Sequence, residues 1–116
     1  MSQTIIYHNP ACTTSRNVLA ALLAAGREPR VVEYLKVGWT RPQLEGLLQA
    51  MHARPRDFLR TRGDLAASLG LTVPAATDEA ILTAMVKHPV LVERPIVVTP
   101  KGTRLARPAE RLQEIL

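Results

Sequence analysis

A single cysteine, Cys12, stands in the run His8-Asn9-Pro10-Ala11-Cys12-Thr13-Thr14-Ser15-Arg16-Asn17, between an apolar stretch and the start of a helix. A thiol in that setting can act as a nucleophile. Free cysteine titrates near pH ~8.5 and is only a few per cent thiolate at pH 7, and each unit of downward shift needs about 1.4 kcal/mol of preferential stabilisation of the anion. A helix N-terminus, with its unpaired N–H groups and positive dipole end, supplies part of that. His8 and nearby arginines can supply more. The alternative is a small buried hydrophobe, the usual fate of a lone cysteine. The polar loop argues against it, because core cysteines tend to lie within apolar periodic segments.

The elements that must position the thiol follow from local patterning. Thr4-Ile5-Ile6-Tyr7 has the β-branched and aromatic character of a short buried strand, and Asn9-Pro10 is a turn signal. Val18, Leu19, Leu22 and Leu23 form the stripe of an amphipathic helix that Thr13, Thr14 or Ser15 can cap and Gly26 can stop. Arg30-Val31-Val32-Glu33-Tyr34-Leu35 reads as a second strand, which completes a βαβ unit and predicts parallel pairing. Thr40-Arg41-Pro42-Gln43 has the form of a capping box ahead of Leu44, Leu47, Leu48 and Met51.

From Pro55 to His88 the chain is short-segmented and helical. Asp64 is placed to cap Leu65–Leu69, and Thr77-Asp78-Glu79 opens a helix with Ile81, Leu82, Met85 and Val86 inward. Pro95–Val98 is a strand, Thr99-Pro100-Lys101-Gly102 a turn, Thr103–Ala106 a second strand, and Pro108 opens a last short helix. The expectation is α/β: one domain over residues 1–116, with a mixed sheet of order βαβ…ββα and a helical insertion at about 40–88, on a thioredoxin-like plan.

The 116 residues suit one domain, and 47% apolar with 22% charged residues is ordinary globular composition. No apolar run is long enough to span a membrane, and Met1-Ser2-Gln3-Thr4 lacks the features of a signal peptide. One cysteine allows no internal disulfide, so a cytoplasmic, reducing compartment is expected. The net charge of +5 is carried mostly by scattered arginines, with only Lys36, Lys87 and Lys101 as lysines. With few aromatic residues this fits no base-stacking platform, so nucleic acid is not the expected partner. Guanidinium donors suit a small oxyanion instead. His8, His52 and His88 with one cysteine make no metal-ligand spacing.

Three separated motifs then carry a resemblance across nearly the whole chain: Ile6 to Asn17, Phe58-Leu59-Arg60, and His88-Pro89 through Arg94-Pro95 and Lys101-Gly102-Thr103-Arg104 to Arg107-Pro108. Together they resemble the glutaredoxin-coupled arsenate reductases of the ArsC family. The resemblance implies a thioredoxin-like fold, Cys12 as the nucleophile that attacks arsenate, and Arg60, Arg94 and Arg107 as the oxyanion-binding residues. It implies His8 and Ser15 as neighbours that tune the thiol, and a cis Arg94–Pro95 bond. It also implies the reductants: glutathione attacks the Cys12 thiol-arsenate adduct and glutaredoxin clears the resulting mixed disulfide, with no bound cofactor or metal. Arg16, Arg41, Arg54, Arg56, Arg62 and Arg104 are left as surface charge, and Trp39 as packing.

One departure is Thr13, where the best-studied members of the family have glycine. Another is that the chain ends soon after its final helix, short of the extension of longer members. Two competing readings share the fold: a regulator of the Spx type, and a general glutathione-dependent thiol oxidoreductase. Ser15 excludes the C-x-x-C switch of the first. Three oxyanion-binding arginines argue against the second.

Overall fold

The structure is a computed structural model that describes residues 3–116; Met1 and Ser2, which open the stretch read above for a targeting signal, lie outside them. Its elements are β1 (Ile5–Tyr7), α1 (Thr13–Ala24), β2 (Arg30–Val32), α2 (Tyr34–Val37), α3 (Arg41–Ala50), α4 (Leu65–Ser68), α5 (Asp78–Lys87), β3 (Ile96–Thr99) and β4 (Gly102–Leu105). Short 3-10 helices run over Pro55–Phe58, Pro89–Leu91 and Ala109–Ile115. Two units separate: the segments up to Val37 and from Arg94 onward form one, and Gly38–Glu93 the other.

The first unit contains a four-stranded mixed sheet of order β2-β1-β3-β4. β1 and β2 are parallel across the α1 crossover, as the βαβ pattern predicts, whereas β1–β3 and β3–β4 are antiparallel. Register decides what this sheet can carry. Tyr7 pairs with Ile96, and Ile96 with Leu105. The loop that follows β1, the segment that precedes β3 and the segment that follows β4 therefore leave the sheet at the same end. Two hydrogen bonds extend the ladders there, from His8 N–H to the Val32 carbonyl (2.8 Å) and from Ala106 N–H to the Pro95 carbonyl (2.9 Å).

One hydrophobic cluster holds this unit together. Ile6 and Val97, register partners on one face, pack with Val18 and Leu22 of α1 and with Ala106, Leu112 and Ile115. Burying each large aliphatic side chain contributes about 1.5–3 kcal/mol. Thr99 Oγ1 donates to the Ile115 carbonyl at 2.6 Å and fastens the last 3-10 helix to the sheet.

Several local expectations change. No hydroxyl side chain caps α1: its N-cap residue is Cys12 itself, in extended conformation. Gly26 does end the helix, with φ +78 and its N–H on the Leu23 carbonyl. Leu23 of the proposed stripe is 58% exposed. The second strand stops at Val32, because the N–H groups of Lys36 and Val37 close onto the Glu33 carbonyl and turn Tyr34–Val37 into α2. The closing helix is 3-10 rather than α.

In the second unit, Thr40 and Gln43 form the reciprocal capping box of α3, and Leu44, Leu47 and Leu48 are buried. Thr77 Oγ1 accepts from Ala80 N–H at 3.1 Å to cap α5, whose Ile81, Leu82 and Met85 are buried while Val86 is half-buried. Asp64 stands at the N-cap of α4 without a side-chain cap bond. Arg56 is not solvated surface charge: its guanidinium donates to the carbonyls of Val73, Pro74 and Ala76 and closes that loop. Arg41 pairs with Glu79, and Arg54 with Asp78.

Candidate active site

Cys12 lies where the first unit's three segments converge. Asn9 builds the loop that delivers it, its Oδ1 accepting from Ala11 N–H (3.0 Å) and its carbonyl from Cys12 N–H (3.0 Å). This is the turn that the Asn9-Pro10 pair signals in the sequence. Cys12 is 9% exposed, and its carbonyl accepts from Arg16 N–H in the first bond of α1.

The surroundings act on the thiol in opposite directions. Burial is the largest effect and raises its pKa. The Ser15 backbone N–H, hydrogen bonds from the Arg94 and Arg107 guanidiniums, and the charge of Arg94 together outweigh it, so the thiol is held below its ordinary value. Arg107 Nη1 lies 3.9 Å from Cys12 Sγ and donates to the Arg94 backbone carbonyl at 3.2 Å, which holds the Arg107 guanidinium beside the sulfur.

His8 and Ser15 contribute differently from a simple cation and hydroxyl beside a thiolate. His8 is buried, and its Nδ1 shares a 2.6 Å hydrogen bond with Ser15 Oγ, which also accepts from Asn9 N–H at 3.1 Å. Burial lowers the His8 pKa; Glu33 opposes this and Arg16 adds to it. His8 is therefore neutral at pH 7, and its link to Ser15 fixes the first turn of α1. The Ser15 N–H, rather than a charge on His8, is what this pair presents to the sulfur.

Arg94 has the uncommitted donors of this site. The residue is 9% exposed, and its buried Nε and Nη1 have no hydrogen-bond partner among the described residues. Buried donors are nearly always paired, so these two nitrogens stand out even though the guanidinium also bonds the thiol. Both Arg94–Pro95 and Arg107–Pro108 are cis, the second unforeseen in the sequence. The structure thus brings Cys12, His8, Ser15, Arg94 and Arg107 together. Arg60 belongs to the other unit, half-buried, its N–H on the Leu91 carbonyl (2.7 Å) beside the Leu59–Val92 bridge. Among the described residues no group of three or more His, Cys, Asp or Glu could hold a metal ion, and no helix is long and apolar enough to cross a membrane.

A mixed sheet of this order, with a cysteine capping the helix after its first strand, defines a protein of the thioredoxin-like class. The chain belongs to the ArsC family, whose model matches residues 7–115. It is 55% identical over 112 residues to an arsenate reductase of Synechocystis sp., covering 97% of this chain and 80% of that one. It is 46% identical over 116 residues to the arsenate reductase of Escherichia coli strain K12, covering 100% of this chain and 82% of the relative. The arsenate reductase structure from Vibrio cholerae superimposes with a TM-score of 0.93 at 38% identity, covering 98% of each chain.

Proposed function

We propose that this protein is an arsenate reductase in which Cys12 forms a thiol-arsenate adduct that glutathione and glutaredoxin resolve. The observation that carries the reading is Arg94, a buried guanidinium beside the thiol with two donor nitrogens unspent. Arsenate is a tetrahedral oxyanion with one to two negative charges near neutral pH, and a thiolate cannot approach it until those charges are offset. Arg94 and Arg107 are placed to do this, and the family resemblance assigns the third such role to Arg60. The same donors favour the thiolate and stabilise charge on the departing oxygen.

The electron count then needs a second thiol. Cys12 Sγ forms the S–As bond as a hydroxide leaves and is protonated to water. Glutathione thiolate attacks Cys12 Sγ, an S–S bond forms, and the S–As electron pair stays on arsenic, which departs as arsenite. Two sulfurs are oxidised and one arsenic is reduced by two electrons. This chain has no second cysteine to act as resolving thiol, so glutaredoxin takes the glutathione from the mixed disulfide and frees Cys12. Such a cycle runs where reduced thiols are maintained, as in the cytoplasm.

The test is a coupled assay with purified protein, glutathione, glutaredoxin and NADPH recycling. NADPH is consumed only when arsenate is added, and Cys12→Ser abolishes consumption. Full activity in Cys12→Ser refutes the adduct. Turnover of a disulfide substrate without any response to arsenate points to the general thiol oxidoreductase, and no turnover of either points to a regulator.

A further inference from the structure

Arg16, read from the sequence as surface charge, holds the nucleophile loop from outside. Its side chain is exposed, yet its terminal nitrogens are engaged with two neutral acceptors: Nη1 donates to the Pro10 carbonyl at 2.9 Å and Nη2 to Thr13 Oγ1 at 3.3 Å. Pro10 lies two residues before Cys12 and Thr13 one residue after it. The guanidinium therefore bridges the two arms of the loop, and the planar fork of arginine suits this double contact in a way a lysine ammonium does not.

Position strengthens the point. Arg16 places a cation near the start of α1, where the helix dipole disfavours one, and no acidic residue stands in that turn to compensate. Local rules are broken in this manner where a site requires it. The charge also reaches His8, where it helps keep the imidazole neutral.

We propose that Arg16 is a positioning residue, tying the Pro10 carbonyl to the Thr13 hydroxyl so that Cys12 stays at the N-cap with its sulfur aligned to the Ser15 N–H. The role rests on Cys12 as the reacting group. Its primary readout is alkylation by iodoacetamide, which needs no arsenate, so this inference and the arsenate reductase reading can fail separately. The variants are Arg16→Lys, which keeps the charge but not the fork, Arg16→Gln, Thr13→Val, and the double variant Arg16→Lys/Thr13→Val.

At pH 7 alkylation slows about three- to tenfold in Arg16→Lys and less in Thr13→Val, on the scale of one or two lost hydrogen bonds. The double variant is no slower than Arg16→Lys, because both changes break one link. In arsenate turnover kcat falls while KM for arsenate stays within about twofold, as expected of a group that holds the nucleophile rather than the substrate. Alkylation that is unchanged or faster in Arg16→Lys overturns the proposal. So do single effects that multiply in the double variant, a loss seen in Arg16→Gln but not in Arg16→Lys, or a raised KM with kcat intact.

Discussion

Replacing Arg94 by methionine should make the protein more stable and inactive. The residue is 9% exposed, with Nε and Nη1 buried and unpartnered among the described residues. Each buried donor left without an acceptor costs about 1–3 kcal/mol, and the hydrogen bond given up to Cys12 is worth about 1.5–3 kcal/mol against a thiolate and less against a thiol. Methionine has similar length, no donors and enough flexibility to fill the space. The net gain is about 1–5 kcal/mol while Cys12 is protonated, at roughly 3–6 °C in Tm per kcal/mol for a domain of this size.

The gain depends on pH with a defined sign. The Cys12 pKa is lowered in the folded state, so the thiolate adds stability that is present above the unfolded pKa and lost as pH falls through the folded one. Arg94 is one source of that lowering. The advantage of Arg94→Met is therefore largest below the folded pKa and shrinks as pH rises through it. The assay is urea denaturation across this window, with and without arsenate. Ligand at 100 times its Kd stabilises the wild type by about 2.7 kcal/mol, and the variant should gain almost none of this. A variant less stable than wild type where Cys12 is protonated, or one stabilised equally by arsenate, would refute the view of Arg94 as an unpaired seat for the anion.

Three further outcomes follow from other parts of the structure. His8 is held below its ordinary value of 6.5 chiefly by burial, so the unfolded state takes up its proton first; wild-type stability should decline as pH falls below about 6.5 until the folded pKa is reached. His8→Gln should flatten that slope in thermal melts. Ile6→Ala, at a fully buried position facing Val97, should cost about 2–5 kcal/mol by denaturant titration. Thr77→Ala, which removes the α5 cap, should cost about 0.5–2 kcal/mol by the same measurement.

Legibility in the sequence tracked how local the cause was. The Thr40–Gln43 capping box, the Gly26 stop and the first strand were readable because each rests on neighbours within four residues. Tyr34 and Leu35 were misread as strand because their type favours one, while the bonds that decide the matter converge on Glu33. The capping hydroxyls were misassigned because Ser15 is drawn back to His8, an attraction visible only once the loop has closed. Arg94 and Arg107 looked like ordinary arginines beside prolines. Only the family motifs singled them out, and only sheet register explains why they meet the cysteine.

That register has a consequence for the time at which the thiol becomes reactive. Arg107 Nη1 and Cys12 Sγ are 95 positions apart along the chain, and Arg94 reaches the sulfur from a similarly late segment. A chain made in the N-to-C direction has Cys12 well before it has the guanidiniums that favour the thiolate, and so distant a closure cannot precede the antiparallel β1–β3 pairing. Until the Arg94 and Arg107 segments have been made, Cys12 lacks the guanidiniums that lower its pKa and reacts as an ordinary, largely protonated thiol, slow toward oxidants and stray electrophiles. Activation coincides with completion of the sheet.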